Sequence, residues 1–233
     1  IPSSVTRIGY ATFSGCSSLR SINIPNSISI VETALFRGCS SLSSISIPGS
    51  VEIIGDGAFS GCSSLSNITI PNAVTSIKSC AFQDCSSLSC INFPSALKSI
   101  ESWAFRNCSS LTSLYIPSTL THIDSGAFSG CSGLTSIEVD GFNPTYDSRN
   151  SCNAIMETAT NNLVVGCKNT TIPSIVNNIN YEAFSGCTGL TNLTLPSSVI
   201  SIGDYAFENC TGLTSINIPF SVTYIGDNAF KRR

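Results

Sequence analysis

Few residues of this chain have the type and spacing that catalysis requires. His122 is the single histidine, so nucleophilic chemistry of the Ser–His or Cys–His kind could be centred only there. Glu138 and Asp140 flank Val139, and strand spacing would place both carboxylates on one side of the chain, as in a glycosidase pair. A strand offers no cleft around them, however, and the sequence has no glycine-rich phosphate loop. We therefore predict no catalytic residues and no enzyme, and keep a glycan-processing enzyme as one alternative.

The 12 cysteines are the second group with chemical potential. Eight of them share one position of a repeating pattern and are expected to form a stacked inward row: Cys16, Cys39, Cys62, Cys85, Cys108, Cys131, Cys187 and Cys210. Neighbours in such a row have parallel Cβ vectors about 4.8 Å apart, farther than the roughly 3.8 Å that disulfides prefer, so free buried thiols are predicted.

Four cysteines lie off this row: Cys80, Cys90, Cys152 and Cys167. No C-x-x-C occurs and the histidine lies elsewhere, so we predict no metal site and no cofactor. Cys152 and Cys167 would lie opposite each other in a hairpin. They would form either a disulfide or two packed thiols, and the sequence leaves both alternatives open.

A fixed period of 23 residues organises the chain. The units start at Pro2, Pro25, Pro48, Pro71, Pro94, Pro117, Pro173, Pro196 and Pro219. One apolar row in phase with them contains Phe13, Phe36, Phe59, Phe82, Phe105, Phe128, Phe184, Phe207 and Phe230. A single unit cannot fold alone, because about six buried side chains at about 1.5–3 kcal/mol each do not offset the backbone entropy of about 1–2 kcal/mol per residue. The units must stack, and residues 1–233 are predicted to form one repeat domain.

Each segment of a unit has a predicted place in one coil. The segment LSNITI, from Leu65 to Ile70, is predicted to be the repeating strand of a parallel sheet. The next proline lacks a backbone donor and turns the chain out of the sheet. The stretch after each proline adds a second apolar pair, such as Val51 and Ile54 after Pro48. AFSGC then forms a short turn or 3-10 corner around buried Phe59. The predicted fold class is a repeat solenoid, mostly β and irregular.

The combined motif L-x-S-I-x-I-P-x-S-V-x-x-I-G-x-x-A-F-x-G-C-x-S spans Leu42 to Ser64. It resembles the leucine-rich repeat class of BspA-like bacterial surface proteins, also called the Treponema type, and the resemblance covers nearly the whole chain. It implies a curved right-handed leucine-rich-repeat solenoid with a parallel β-sheet on one face. It also implies a secreted or cell-surface location and binding of host or microbial macromolecules, although fold alone does not establish function.

The repeat is interrupted once, by a 33-residue unit at 140–172. We call this segment the insert. Its first part, GFNPTYDSRN, carries turn signals and is predicted to be a loop. CNAIMET and LVVGC behind it predict a β-hairpin, which resembles the hairpin islands of some BspA-like proteins from gut Bacteroidetes. Tyr146, Asp147 and Arg149 form a candidate binding group in the loop. The favoured interpretation of the insert is that it only bridges or bends the solenoid.

An exposed row along the predicted strands decides which ligands the solenoid could bind. We call it the strand row: Asn23, Ser46, Thr69, Asn92, Tyr115, Glu138, Thr194 and Asn217. Short hydrogen-bonding side chains suit polar, weakly charged ligands such as glycans or extended peptides, but they are also common on solvated sheets. Tyr115 and Glu138 are the least generic members, and Asp140 follows them at the insert. The predicted binding residues are therefore Tyr115, Glu138, Asp140, Tyr146, Asp147 and Arg149.

Composition excludes several functional classes. The net charge is −3, and apart from Lys231, Arg232 and Arg233 at the end the 11 basic residues are scattered, so we expect no basic stripe for nucleic acid. No apolar run approaches the roughly 20 residues of a membrane span, and the chain opens within the repeat pattern, so we expect a mature fragment without membrane insertion. The predicted function is extracellular recognition or adhesion by a monomer that binds a protein or glycan. A structural spacer that displays another domain is the alternative.

Overall fold

Residues 1–232 of the computed structural model form a solenoid of about nine turns with parallel sheets and almost no helix. The strands are β1 (Ile30–Val31), β2 (Ile53–Ile54), β3 (Ser76–Ile77), β4 (Ser99–Ile100), β5 (Ser113–Ile116), β6 (His122–Ile123), β7 (Ser136–Val139), β8 (Tyr146–Asp147), β9 (Ala154–Glu157), β10 (Asn162–Gly166), β11 (Asn178–Ile179), β12 (Ser201–Ile202) and β13 (Tyr224–Ile225). One 3-10 helix spans Arg149–Ser151. The predicted fold class is confirmed.

The main parallel ladder lies after the proline of each unit, not before it. β1, β2, β3, β4 and β6 form one parallel sheet, and β11, β12 and β13 extend a second one. The segment predicted as the repeating strand makes only isolated bridges, such as Thr69 with Asn92, except where β5 pairs with β7. The prediction for Leu65 to Ile70 is corrected in this respect. Proline removes a donor at the end of that segment, whereas the stretch after it keeps its donors, as in Lys78 N–H to Ile54 O at 2.9 Å.

The corners close each coil with two alternating sets of hydrogen bonds. Gly57 and Phe59 donate to carbonyls of the next coil, at 2.8 and 2.7 Å, while Ala58 and Ser60 donate within their own turn. Gly57 and Gly61 adopt positive φ of +58° and +75°, which glycine accepts without steric cost. The corners are therefore successive turns, and they bond neighbouring coils as closely as the ladder does.

Phenylalanine rings stack from coil to coil, and the insert interrupts the stack. Consecutive rings from Phe13 to Phe128 have centroids 5.2–5.5 Å apart and are nearly parallel. Phe184, Phe207 and Phe230 form a second stack with spacings of 5.0 and 5.2 Å. The interruption follows from the sequence, because the insert contributes no phenylalanine to this row.

An antiparallel hairpin of β9 and β10 fills the gap and separates two hydrophobic cores. Ile155 and Val165 belong to the core of the preceding coils, whereas Ala154, Met156 and Leu163 belong to the core of the following coils. Strand alternation thus sends successive side chains to opposite cores. β8 adds a third antiparallel strand within the segment predicted to be a loop. The assignment of residues 1–233 to one domain stays a prediction.

The insert does not separate the corners of the coils that flank it. At the corners, the coils before and after it touch directly: Gly130 N–H donates to Ser185 O at 2.8 Å. Trp103 Nε1 reaches across Gly126 and donates to Glu182 Oε2 at 3.2 Å. The coils on either side of the insert therefore remain in contact at their corners, and the interpretation that the insert bridges or bends the solenoid stays a prediction.

The cysteine row is a hydrogen-bonded ladder of free thiols. Cys62 Sγ donates to Phe36 O of the preceding coil at 3.2 Å, and Cys85 repeats this bond with Phe59 O. Burial raises the pKa of the Cys62 thiol to about 12, so the thiol stays protonated and unreactive at neutral pH. Cys16, on the first coil, is the exposed member of the row.

The two cysteines of the hairpin are also free and buried. Gly166 pairs with Ala154, so the thiols of Cys152 and Cys167 do not lie directly opposite each other. Cys167 Sγ donates instead to Asn153 O at 3.4 Å. Of the two alternatives that the sequence left open, the structure contains the packed thiols.

Thiol titration checks this arrangement. In the native protein at pH 8, we expect Cys16 and Cys90 to react fast with a disulfide reagent and the half-buried Cys80 to react more slowly. The buried thiols should react only after unfolding, because the thiolate that attacks is scarce when the pKa is raised. A Cys90→Ser variant should lose one fast thiol. Fewer than 12 thiols in denatured, unreduced protein would show that a bridge exists.

Candidate functional site

Within residues 1–232, the strand row contains one regular pair of strands, and this pair lies at the edge of the insert. β5 and β7 run parallel and place Tyr115 beside Glu138. Alternation buries Leu114 and Ile116 and leaves Tyr115 half exposed, at 50%. Glu138 is exposed by the same alternation in β7. The two least generic residues of the row are thus immediate neighbours on an open surface.

Asp140 connects this pair to the turn that follows β7. Its carboxylate accepts a hydrogen bond from Tyr115 Oη at 2.8 Å and another from Phe142 N–H at 2.9 Å. These two donors, the Phe142 N–H first, hold the pKa of Asp140 below its ordinary value. The carboxylate is therefore ionised at neutral pH and fixes the position of the tyrosine hydroxyl.

Phe142 is exposed to 91% on a turn that several hydrogen bonds hold in place. The side chain of Asn143 anchors this turn: Nδ2 donates to Pro117 O and Leu120 O at 2.7 and 2.8 Å, and Oδ1 accepts from the backbone N–H groups of Thr145 and Tyr146. An exposed apolar ring on so constrained a backbone is the feature that the sequence analysis missed. The sequence signal for this feature is that Phe142 is an aromatic residue among turn residues and belongs to none of the repeat rows.

Tyr146 is a core residue, and its prediction as a binding residue is corrected. It is exposed to only 5%, and its Oη accepts a hydrogen bond from Ile123 N–H at 2.9 Å. Burial raises the pKa of its hydroxyl. The ring faces inward because β8 pairs with β9, which turns this position of the predicted loop toward the core.

Asp147 and Arg149 bind each other and stabilise the insert. Arg149 Nε donates to Asp147 Oδ1 at 2.8 Å, and its Nη2 contacts Asp147 Oδ2. Burial alone would raise the pKa of Asp147, but the bonds from Arg149 outweigh it and the pKa lies below the ordinary value. Both side chains are mostly covered, so the structure gives Asp147 and Arg149 a stabilising contact.

The structure groups the other predicted residues with Phe142. The group contains Tyr115, Glu138, Asp140 and Phe142, and we call it the recognition surface.

A general acid needs a raised pKa, whereas that of Asp140 is lowered. His122 lies on an exposed strand and contacts Asp124 at 2.9 Å. Within residues 1–232, no group of three His, Cys, Asp or Glu side chains could hold a metal ion.

A family model for BspA-type leucine-rich repeat regions matches residues 1–75, 52–160 and 153–233. The chain belongs to this family. The resemblance inferred from the repeat motif is thereby confirmed. The BspA-type repeat proteins are generally not enzymes.

Crystal structures of bacterial leucine-rich repeat proteins share the fold of this BspA-type chain. A leucine-rich cell surface protein of Faecalibacterium prausnitzii is 28% identical with a TM-score of 0.73, and the match covers 91% of this chain and 64% of that protein. The leucine-rich repeat protein of T. pallidum is 31% identical with a TM-score of 0.57, over 84% of this chain and 78% of that one. A protein of Eubacterium ventriosum is 27% identical with a TM-score of 0.73, over 89% and 56%.

The chain spans less than two thirds of the F. prausnitzii protein, at 64%. No curated protein matches the chain significantly. In the part of the chain that the structure describes, no helix has the length and apolar character to cross a membrane.

Proposed function

We propose that this BspA-type chain is a non-enzymatic extracellular module for recognition or adhesion, in a secreted or cell-surface protein. Its recognition surface would bind an extracellular protein or glycan. The observation that carries the proposal is the presentation of Phe142: a 91% exposed ring on a turn that Asn143 and Asp140 hold in place. The similarity to a cell surface protein of F. prausnitzii supports the location.

The energetics of binding support this surface. Aromatic side chains are enriched at interfaces, since they bury a large apolar area with few rotatable bonds. A rigid turn loses little conformational entropy when a ligand binds. Because Asp140 binds both Tyr115 Oη and the backbone N–H of Phe142, the tyrosine hydroxyl and the turn that carries Phe142 are positioned before the ligand arrives.

Binding to arrays of glycans and extracellular-matrix proteins tests the proposal. We expect wild-type protein to retain at least one ligand and Phe142→Ala to weaken that binding by more than about tenfold, as for an interface anchor. Tyr115→Ala should weaken the same binding. Phe220→Ala is the matched control, because it removes another fully exposed ring outside the recognition surface and should leave binding unchanged.

The spacer hypothesis makes the opposite prediction. A spacer should retain no ligand on either array, and Phe142→Ala would then change nothing. Retained ligands that bind Phe142→Ala and wild-type protein equally would move the binding site away from the recognition surface. All variants concern exposed positions, so thermal unfolding should show each of them folded like the wild type.

A further inference from the structure

The charges around the exposed ring of Phe142 point to the chemistry of its partner; this inference rests on the proposed function. We infer that the recognition surface binds a protein segment in which a lysine or arginine lies next to an apolar side chain. The apolar side chain would pack on Phe142, and the basic group would approach Glu138 and Asp140. The surface is thus specific for cationic peptide segments rather than for glycans.

The two carboxylates have no basic partner of their own. Among residues 1–232, neither Glu138 nor Asp140 has a Lys, Arg or His nitrogen within ion-pair distance. The basic residues nearest to them in sequence are engaged elsewhere: His122 contacts Asp124, and Arg149 pairs with Asp147. The surface therefore carries uncompensated negative charge beside an apolar ring.

The hydrogen bonds of Asp140 leave this charge available. Tyr115 Oη and Phe142 N–H are neutral donors, so they orient the carboxylate without neutralising it. Tyr115 adds a half-exposed aromatic ring at the same place. A cation near an aromatic face and a carboxylate gains from both, through attraction to the ring quadrupole and a charge-assisted hydrogen bond.

This combination discriminates between ligand classes. Neutral glycans bring no charge that complements Glu138 and Asp140, and acidic glycans would be repelled by them. An acidic peptide would be repelled in the same way. A segment with one basic and one apolar side chain matches both halves of the surface.

Selection from a random peptide library tests the inference. The immobilised protein is panned at low and at physiological salt against a display library of octapeptides. We expect the selected pool to pair Lys or Arg with an apolar residue, and a synthetic peptide from that pool to bind more weakly as salt rises. The double variant Glu138→Gln and Asp140→Asn should weaken this peptide by about tenfold or more, as loss of close charge pairs does at interfaces.

The variants separate charge from shape. Glu101→Gln is the matched control, because this carboxylate pairs with Lys78 and lies outside the recognition surface. A selected pool without basic residues, or a peptide that binds the double variant and wild type equally, would overturn the inference. If glycans bind through Phe142 while no basic peptide is selected, the proposed function stands and this inference fails. If neither arrays nor library yield a ligand, both fail.

Discussion

Replacing Phe82 with alanine is expected to lower the free energy of unfolding by about 3–5 kcal/mol, the range found for buried phenylalanine. The ring is fully buried and stacks on Phe59 and Phe105, each at 5.2 Å. The cavity would lie inside a continuous stack, where close packing between neighbouring coils prevents collapse around it. Urea unfolding followed by circular dichroism measures the change.

Phe220→Ala provides the comparison for this variant, because the ring of Phe220 is fully exposed. Its substitution should change stability by no more than about 0.5 kcal/mol. Phe82→Leu, which keeps most of the volume, should cost less than Phe82→Ala. If Phe82→Ala cost less than about 1 kcal/mol, the coils would have to repack freely, and the ring stack would not carry the core.

Gly166→Ala is expected to have the second largest effect. A Cβ at this position would overlap Cε1 and Cζ of Phe184 and would lie 2.7 Å from Cδ1. Gly166 belongs to β10, and its N–H donates to Ala183 O at 2.8 Å, so the backbone cannot withdraw without losing that bond. Overpacking of this kind costs about 1–3 kcal/mol. Phe184 begins the second ring stack, so the strain falls where the insert joins the following coils.

A double-mutant cycle identifies the clash as the cause. Phe184→Leu should relieve the overlap, so the double variant should be more stable than the sum of the two single effects predicts. Gly141→Ala is the control, because a Cβ there meets nothing within 4 Å. Calorimetry measures the four proteins of the cycle and the Gly141→Ala control. Additive effects of Gly166→Ala and Phe184→Leu would show that the two side chains do not meet.

The repeat period determined most of the fold. Residues at the same position of the 23-residue unit have the same environment in successive coils. Stacking of the units therefore places the ring of Phe59 against that of Phe82. The location of the main ladder was not determined in this way. Both segments of LSNITIPNAVTSI are rich in β-branched residues, and only the distribution of donors around Pro71 shows which one pairs along the solenoid.

The recognition surface was predictable in the repeating part and not in the insert. Tyr115 and Glu138 could be identified because the other units have short polar side chains at the same repeat position. Alternation in β5 and β7 exposes both residues, as expected. Tyr146 and Phe142 have no counterparts in other units. Which ring is buried there depends on the pairing of β8 with β9 and on the bonds of Asn143, and both are contacts between distant or irregular segments.

The sequence by itself therefore determined a stacked solenoid, its apolar rows, the free thiols of its cysteine row and the point at which the pattern breaks. Local spacing suffices for these, because each coil repeats the contacts of its neighbours. Only the tertiary structure decided that the insert divides the core in two, that Tyr146 lies inside and that Phe142 is presented beside Asp140. These features arise where the repeat stops, so no neighbouring coil constrains them and long-range packing determines the conformation.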